Sequence, residues 1–503
     1  MKPFYLTTAI VYANADPHIG FALELVYADV LARYTRMTGR PVKFVTGTDE
    51  HGQKIAHKAD EAGQDRQTFV NAIADRVRAL CSTLDISNDD FIQTTQGRHK
   101  RSVAVFWKRV MDAGFIYKRA YKGLYCVGCE SFKTEKDLVN GKCPDHGKAP
   151  ESFEDENYFF KLTAFENKLK ALYEQRPDFV IPQTKFNEVR QLLASGLEDV
   201  SISRSRKVLD WGIPVPGDES QVVYVWFDAL INYLSAVGFG REGEDETAMY
   251  WPADLHMVGK EINRFHSVLW PCMLMAAGVE VPHQVGVHGW ITVDGQKMSK
   301  SVGNVLDPFE LAQRCGVEPL RYFLMREIPF HGDGDFSHAR FLERYNNDLA
   351  NELGNLLNRA VAMTERYVEG KVPAVVEYDI RPHWTEYRSS MEDLRFADAL
   401  TTVWRLVREM NKLIDDREPW KLGKLEDKTA VGEVLYVLLE TLRHVAWMIM
   451  PVLPRAALAM FEQIGTSFEA EAKMALSEAC KWGGLAPGSR IKANGPLFPR
   501  RES

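Results

Sequence analysis

Two lysines three residues apart, in Gln296-Lys297-Met298-Ser299-Lys300-Ser301, carry the plainest chemistry in this chain. Their ammonium groups, with two serine hydroxyls and the nearby Gly303, suit a multiply charged anion such as polyphosphate; a solvated basic loop is the blander reading. A second anion site lies near the start, where Asn14-Ala15-Asp16-Pro17-His18-Ile19-Gly20 leads into Leu23, Val26, Tyr27, Val30, Leu31 and Tyr34, one face of a 3.6-residue period. His18 and Gly20 therefore fall at a helix N-terminus, where unpaired N–H groups and the dipole favour phosphate and a glycine admits a ligand to the backbone. Asp49, in Gly47-Thr48-Asp49-Glu50-His51-Gly52, is placed either to hold a substrate ammonium or to cap the helix that follows. Cys126-Val127-Gly128-Cys129 and Cys143-Pro144-Asp145-His146 are two ligand pairs, each with two residues between, the spacing of a closed tetrahedral zinc site. No base for metal-bound water stands nearby, so the zinc is expected to staple a small loop-rich knuckle.

These groups need elements to position them. Phe4 to Tyr12 reads as a buried strand, the 3.6-period segment as a helix, and Pro41 to Thr46 as a second strand. Strand, helix, strand implies a doubly wound parallel sheet with ligands at the carboxyl ends of its strands, which is where Asp49 falls. Gln284 to Val293 predicts another strand, Asp294-Gly295 a turn, and Asp307-Pro308-Phe309-Glu310 a helix start with N-cap, proline and acidic first turn. Residues 117–221 read as an insertion between nucleotide-fold halves at 1–116 and 222–292, with a lysine-loop region at 293–337. Past Phe336 the pattern is helical, a bundle over 338–503. On it Asn355 and Arg359 sit one turn apart on one face, and Trp420 follows Pro419 at a helix start. Trp226 and Tyr233, where a strand gives way to a helix, are core residues on sequence alone, as is Trp420.

A chain of 503 residues is too long for one core, so two to four domains are expected. A net charge of −7 excludes nucleic-acid binding through overall basicity, leaving local patches such as Arg98-His99-Lys100-Arg101, for which a solvated face is the favoured reading. No apolar run spans a membrane, and the first strand follows Met1 too closely for a signal peptide. Seven cysteines form no even framework, and three crowd into one short segment; a reducing cytoplasm with a metal site is the expectation.

A strand, His18-Ile19-Gly20-Phe21 on a helix start, and a distant Lys297-Met298-Ser299-Lys300-Ser301 together resemble the class I aminoacyl-tRNA synthetases, whose signatures read HIGH and KMSKS. The remaining motifs resemble the bacterial-type, one-zinc methionyl branch, and the resemblance covers nearly the whole chain. It implies a Rossmann-like doubly wound sheet, an inserted zinc-knuckle connective domain ligated by Cys126, Cys129, Cys143 and His146, and an all-α anticodon-binding bundle. It implies ATP-dependent joining of L-methionine to methionine tRNA, with ATP and Mg²⁺ as the nucleotide partner. Asn14, His18, Gly20, Gly259, Glu261, Lys297, Ser299 and Lys300 match the ATP site, with His18, Lys297 and Lys300 the catalytic group. Ile10, Tyr12, Asp49, Trp226, Ala229, Tyr233, Ile262 and His266 match the methionine pocket; His266 marks the sulfur or holds Tyr12. Asn355, Arg359 and Trp420 match readers of the CAU anticodon. The chain lacks the appended dimerising tRNA-binding domain of some relatives, so a monomer is expected. It departs from the pattern at Phe21, where a second histidine is usual. A class I ligase for another amino acid and a catalytically weakened tRNA-binding paralogue are the alternatives.

Overall fold

The computed structural model describes residues 2–126, 131–133, 135–144, 147–298, 303–424 and 428–501. Cys129, His146, Ser299 and Lys300 fall outside the described residues, as does the side chain of Lys297.

The sheet that positions the site is built from short strands that are buried on both faces, which is why they read as apolar runs rather than alternating ones. Its strands are β1 (Phe4–Thr8), β2 (Val11–Tyr12), β3 (Val42–Asp49), β4 (Asp90–Gln93), β5 (Val180–Ile181), β6 (Leu255–Gly259) and β7 (Gln284–His288), in the order β2-β3-β1-β6-β7-β5 with β4 beside β3. Every pairing is parallel, with Leu6 opposite both Phe44 and Leu255. From β1 the chain winds one way into β3, while β6 and β7 lie on the other side. The crevice at that reversal is where such sheets take ligands.

Helix α1 (Ile19–Met37) covers the sheet, and fifteen of its residues are buried, from Ile19 to Thr35. It is apolar nearly all round, as a helix packed between a sheet and a second layer must be. Burying a side chain such as Leu23, Leu25 or Val26 contributes about 1.5–3 kcal/mol each, so the helix start is held firmly against the strand ends.

Two strand expectations change. The single strand expected over Phe4 to Tyr12 is two strands, because the chain leaves β6 after Ala9 and pairs instead with β3, Val11 opposite Thr48 and Tyr12 opposite Asp49. The strand expected over Gln284 to Val293 breaks at Gly289-Trp290, where β7 ends and Ile291–Val293 joins a separate sheet with Gly334–Phe336.

The segment between the halves of the sheet folds as a four-stranded antiparallel sheet centred on a long hairpin, Ile116–Cys126 with Glu151–Phe160. The far end of the chain is helical, with long members Asn355–Val368, Phe396–Arg417 and Lys428–Ile449. Its apolar faces are continuous with the core around α1. Arg321, fully buried, joins these parts: it donates to Asp29 on α1 at 2.6 Å and to the carbonyls of Leu84, Pro451 and Val452.

Candidate active site

One cavity of about 710 Å³ opens at the carboxyl ends of β1, β3, β6 and β7. Its lining includes Ile10, Tyr12, Asp49, Trp226, Ala229, Tyr233, Ile262 and His266. It also includes Asn14, His18, Gly20, Gly259 and Glu261, with Phe21 and Met298 beside them. Residues 250 apart in sequence thus share one wall.

The apolar end is rigid. Helix α2 (Val225–Leu230) presents Trp226, whose indole lies flat on Phe265 at 3.8 Å between centroids and 5° between planes. A π-helical turn, Phe265–Leu269, carries His266, and an inserted residue of this kind re-aims a side chain. His266 Nδ1 lies 3.1 Å from the Ile262 carbonyl and so must donate to it, which leaves Nε2 to accept from the Tyr233 hydroxyl at 2.6 Å. Both ring nitrogens are engaged, and the partner is Tyr233 rather than the expected Tyr12. Burial pushes the His266 imidazole down to about 4, so it is neutral at pH 7. Behind it His256, also fully buried, stacks on the Tyr233 ring at 4.2 Å and is held well below its ordinary range by burial. Rings and aliphatic walls of this kind fit an unbranched, polarizable side chain.

Asp49 ends β3 and is 7% exposed. It does not cap the next helix: the residue at that cap is Gly52, without a side-chain hydrogen bond. Its side chain lines the cavity.

The polar end gathers at α1. His18 is the N-cap, and its Nδ1 accepts from the Gly20 N–H at 3.1 Å, which puts the proton of the neutral ring on Nε2. A Cβ on Gly20 would stand 2.9 Å from His18 Cε1, so the glycine is what lets the ring fold over the helix start. Gly259 has the same logic, since a Cβ there would lie 2.7 Å from Glu261 Oε2. The Glu261 carboxylate accepts from the Trp290 indole, and Lys260 stands over that indole at 3.8 Å while pairing with Asp333. Phe21 is 7% exposed and packed into the core, so its ring closes the helix start rather than offering a donor.

Groups that sequence reasoning missed hold this wall. Asp228, fully buried on α2, pairs with His51 at 2.7 Å and with His99 at 2.6 Å. Burial works to raise its carboxyl, yet the two imidazoles outweigh that and hold it at about 2. Asp228 lies two residues from Trp226, and His51 two from Asp49, so this network sets one wall against the other. Glu24 on α1 accepts from the Ala9 N–H at 2.8 Å and meets His288 Nε2 at 2.9 Å. A buried acid on an otherwise apolar helix face was the one available signal for Glu24.

Of the expected zinc ligands, Cys126 and Cys143 are described and both are buried. A hydrogen bond from the Gly147 N–H to the Cys143 carbonyl makes a tight turn there. Two buried thiols at the tip of a loop-rich hairpin have the donor chemistry of a thiolate zinc site; no cluster of three such ligands occurs among the described residues. On the bundle, Asn355 is exposed and Arg359 is half-buried on the same helix. Arg359 pairs with Asp415 at 2.8 Å, five residues before the partly buried Trp420. No helix among the described residues is long and apolar enough to cross a membrane.

The family described as tRNA synthetases class I (M) matches this chain over residues 4–149 and 136–361. A methionine–tRNA ligase of Caldanaerobacter subterraneus subsp. tengcongensis is 45% identical over 99% of this chain and 79% of its own length. One from Thermotoga maritima is 42% identical over 99% and 80%. The Mycobacterium tuberculosis methionyl-tRNA synthetase in complex with methionyl-adenylate superposes with a TM-score of 0.93 at 39% identity, covering 99% of this chain and all of that one. Its apo form gives 0.88 at 35% identity, over 100% and 99%. The family match over most of the chain, and identities of 42–45% to methionine–tRNA ligases over 99% of its length, place the chain in the class I methionyl-tRNA synthetases.

Proposed function

We propose that this protein joins L-methionine to methionine tRNA through a methionyl-adenylate. The observation that carries the reading is one cavity lined at an apolar end by Trp226, Tyr233 and His266, by Asp49, and by His18 and Gly20 at the start of α1.

Methionine lies with its thioether between Trp226, Tyr233 and His266, walled by Ile10, Tyr12, Ala229 and Ile262, and its ammonium on Asp49. The neutral, fully engaged His266 fits this role, since a charged imidazolium would have to be desolvated beside a thioether. ATP enters as its Mg²⁺ complex, adenosine at Gly259 with its ribose hydroxyls on Glu261, phosphates toward Asn14 and His18. The methionine carboxylate attacks the α-phosphate; the bond to the bridging oxygen breaks, and pyrophosphate leaves. His18 donates from Nε2, and Lys297 and Lys300, with Ser299, close over the leaving phosphates. Positioning and electrostatics supply most of the acceleration in such transfers. The 2′-hydroxyl of the tRNA's terminal adenosine then attacks the adenylate carbonyl and expels AMP.

Residues 1–116 and 222–292 serve as the halves of the catalytic domain, to which Val180–Ile181 adds an edge strand, the rest of 117–221 as the insertion, 293–337 as the lysine-loop region and 338–503 as the anticodon domain. Cys126, Cys129, Cys143 and His146 hold one zinc, which contributes folding free energy to the insertion and takes no part in the reaction. Asn355, Arg359 and Trp420 read the CAU anticodon by base-edge hydrogen bonds and stacking. The protein acts as a cytoplasmic monomer.

Charging of unfractionated tRNA with labelled methionine, leucine or isoleucine tests this. Methionine alone should be incorporated, into tRNAs with a CAU anticodon. Charging with leucine at a comparable rate, or none with methionine, overturns the reading.

A further inference from the structure

Glu24 occupies an unusual place, since its two carboxyl oxygens reach two strand ends that are not neighbours. Oε1 accepts from Ala9, just past β1, and Oε2 meets His288, the last residue of β7. Between β1 and β7 runs β6, ending at Gly259. The Glu24–His288 pair therefore bridges the sheet beneath Gly259, and a Cβ built on that glycine would be 3.8 Å from His288 Cε1 and Nε2. Both side chains line the cavity, and both are less than one-tenth exposed.

The hydrogen-bond geometry fixes how many protons the bridge holds. His288 Nδ1 is 2.8 Å from the Gly289 carbonyl, which can only accept, so Nδ1 carries a hydrogen. The contact between Nε2 and Glu24 Oε2 needs one more, placed on either partner. With that proton the pair is neutral overall, as a carboxylic acid with an imidazole or as a carboxylate with an imidazolium. The tyrosines Tyr27 on α1 and Tyr233 beside the pocket, with Glu261 after β6, are the other titratable groups that face it. Among the described residues no lysine or arginine is one of them. Burial raises Glu24, while for His288 the Glu24 hydrogen bond and charge outweigh burial, so both shifts favour the protonated form.

We propose that Glu24 and His288 are positioning residues for adenylate formation: the shared proton lets a carboxyl tie the methionine-side strand end to the nucleotide-side one without placing net negative charge under a polyanion. This rests on the functional reading above and adds to it a determinant of nucleotide affinity that touches no phosphate. A bare carboxylate in that buried position would repel ATP, because like charges are poorly screened away from water.

The test is His288→Gln, which removes the imidazole and leaves the Glu24 carboxyl to hold or lose the proton by itself, compared with the Glu24→Gln/His288→Gln double variant, in which two amides close the bridge with no charge. Methionine-dependent ATP–pyrophosphate exchange on the full chain should show the KM for ATP raised tenfold or more at pH 8 in the single variant. The rise should shrink at pH 6, and the KM for methionine should move less than threefold. The double variant should recover most of the ATP affinity. Recovery by adding a second substitution is a result that a merely structural role would not give. An unchanged KM for ATP in His288→Gln, or a double variant no better than the single one, overturns the proposal. Should His288→Gln fail to fold, Glu24→Gln decides: the proposal requires a smaller rise in the KM for ATP than Glu24→Ala gives, and equal rises overturn it. A parent chain silent in exchange refutes the functional reading; an active parent with the wrong variant pattern refutes this inference alone.

Discussion

The Tyr233–His266 hydrogen bond makes a prediction that can be worked from the coordinates. His266 is neutral because it is buried, and its Nε2 lone pair is answered only by the Tyr233 hydroxyl at 2.6 Å. Tyr233→Phe keeps the ring that stacks on His256 and removes the donor. A buried acceptor left unanswered costs about 1–3 kcal/mol. Part of that is lost stability, read as a lower melting temperature. The rest appears in protonation, because a bond made to the neutral form opposes the charged one. Losing about 1.4 kcal/mol of that preference moves the titration of His266 from about 4 up by about one pH unit. A protonated His266 puts a desolvated charge against the thioether site. In the parent, this residue leaves the KM for methionine level between pH 5 and 8. In the variant that KM should climb about twofold from pH 7.5 to pH 5, beyond any rise in the parent, while the KM for ATP follows the parent. Exchange measured against methionine across this range is the assay. An identical pH dependence in the two proteins, with an unchanged melting temperature, would refute the reasoning.

Other consequences follow from the same structure. His266 contributes in the same direction to acid stability: its ordinary value is 6.5 and its folded value about 4, so about 3 kcal/mol is present above pH 6.5 and is lost progressively as pH falls toward 4, visible in denaturant melts at stepped pH. Asp228, held at about 2 in the fold against an ordinary 3.8, contributes stability that is present above pH 4 and is lost as pH falls toward 2; Asp228→Asn should cost about 1.5–3 kcal/mol, since it removes a carboxylate that accepts from two buried imidazoles, and a melt indistinguishable from the parent's would contradict the network. Lys300→Ala should lower the exchange rate by about 10²–10³-fold, the scale of one lost transition-state donor, with methionine affinity by equilibrium dialysis unchanged. Trp420→Ala should reduce charging of methionine tRNA by tenfold or more and leave exchange at the parental rate, because base stacking is worth about 1–3 kcal/mol per base. Cys126→Ser should lower zinc content measured by atomic absorption and lower the melting temperature, with exchange retained in the folded fraction.

Much of the site was legible because its elements are local. The helix start at His18 announces itself through a turn, a glycine and a 3.6-residue period between Asn14 and Tyr34, and the structure places His18 as the cap of that helix. Asp49 was readable as the end of a strand because the β-branched and aromatic residues Val42 to Thr46 lead into it. The two overextended strands failed for one reason: propensity continues through Ala9 and through Gly289, but which strand each residue pairs with is decided by partners far away in sequence. The same distance hid the supporting groups. His288 lies 264 residues from Glu24, and Asp228 lies 177 and 129 residues from His51 and His99. Each alone looks like an ordinary polar residue in an apolar stretch. The contact of His266 with Tyr233 was not among the two roles read for it, marking the sulfur or holding Tyr12, because it too joins separate elements.

Phe21 packs into the core and also lines the cavity beside His18, so its ring replaces a donor there. The most direct test is ATP–pyrophosphate exchange by the purified protein, run separately with each of the twenty amino acids. The account predicts exchange that depends on methionine and is at least a hundredfold weaker with leucine, isoleucine and valine, consistent with shape discrimination of about 10–200-fold per methylene. Exchange that is absent with methionine, or equally fast with a branched amino acid, would contradict it.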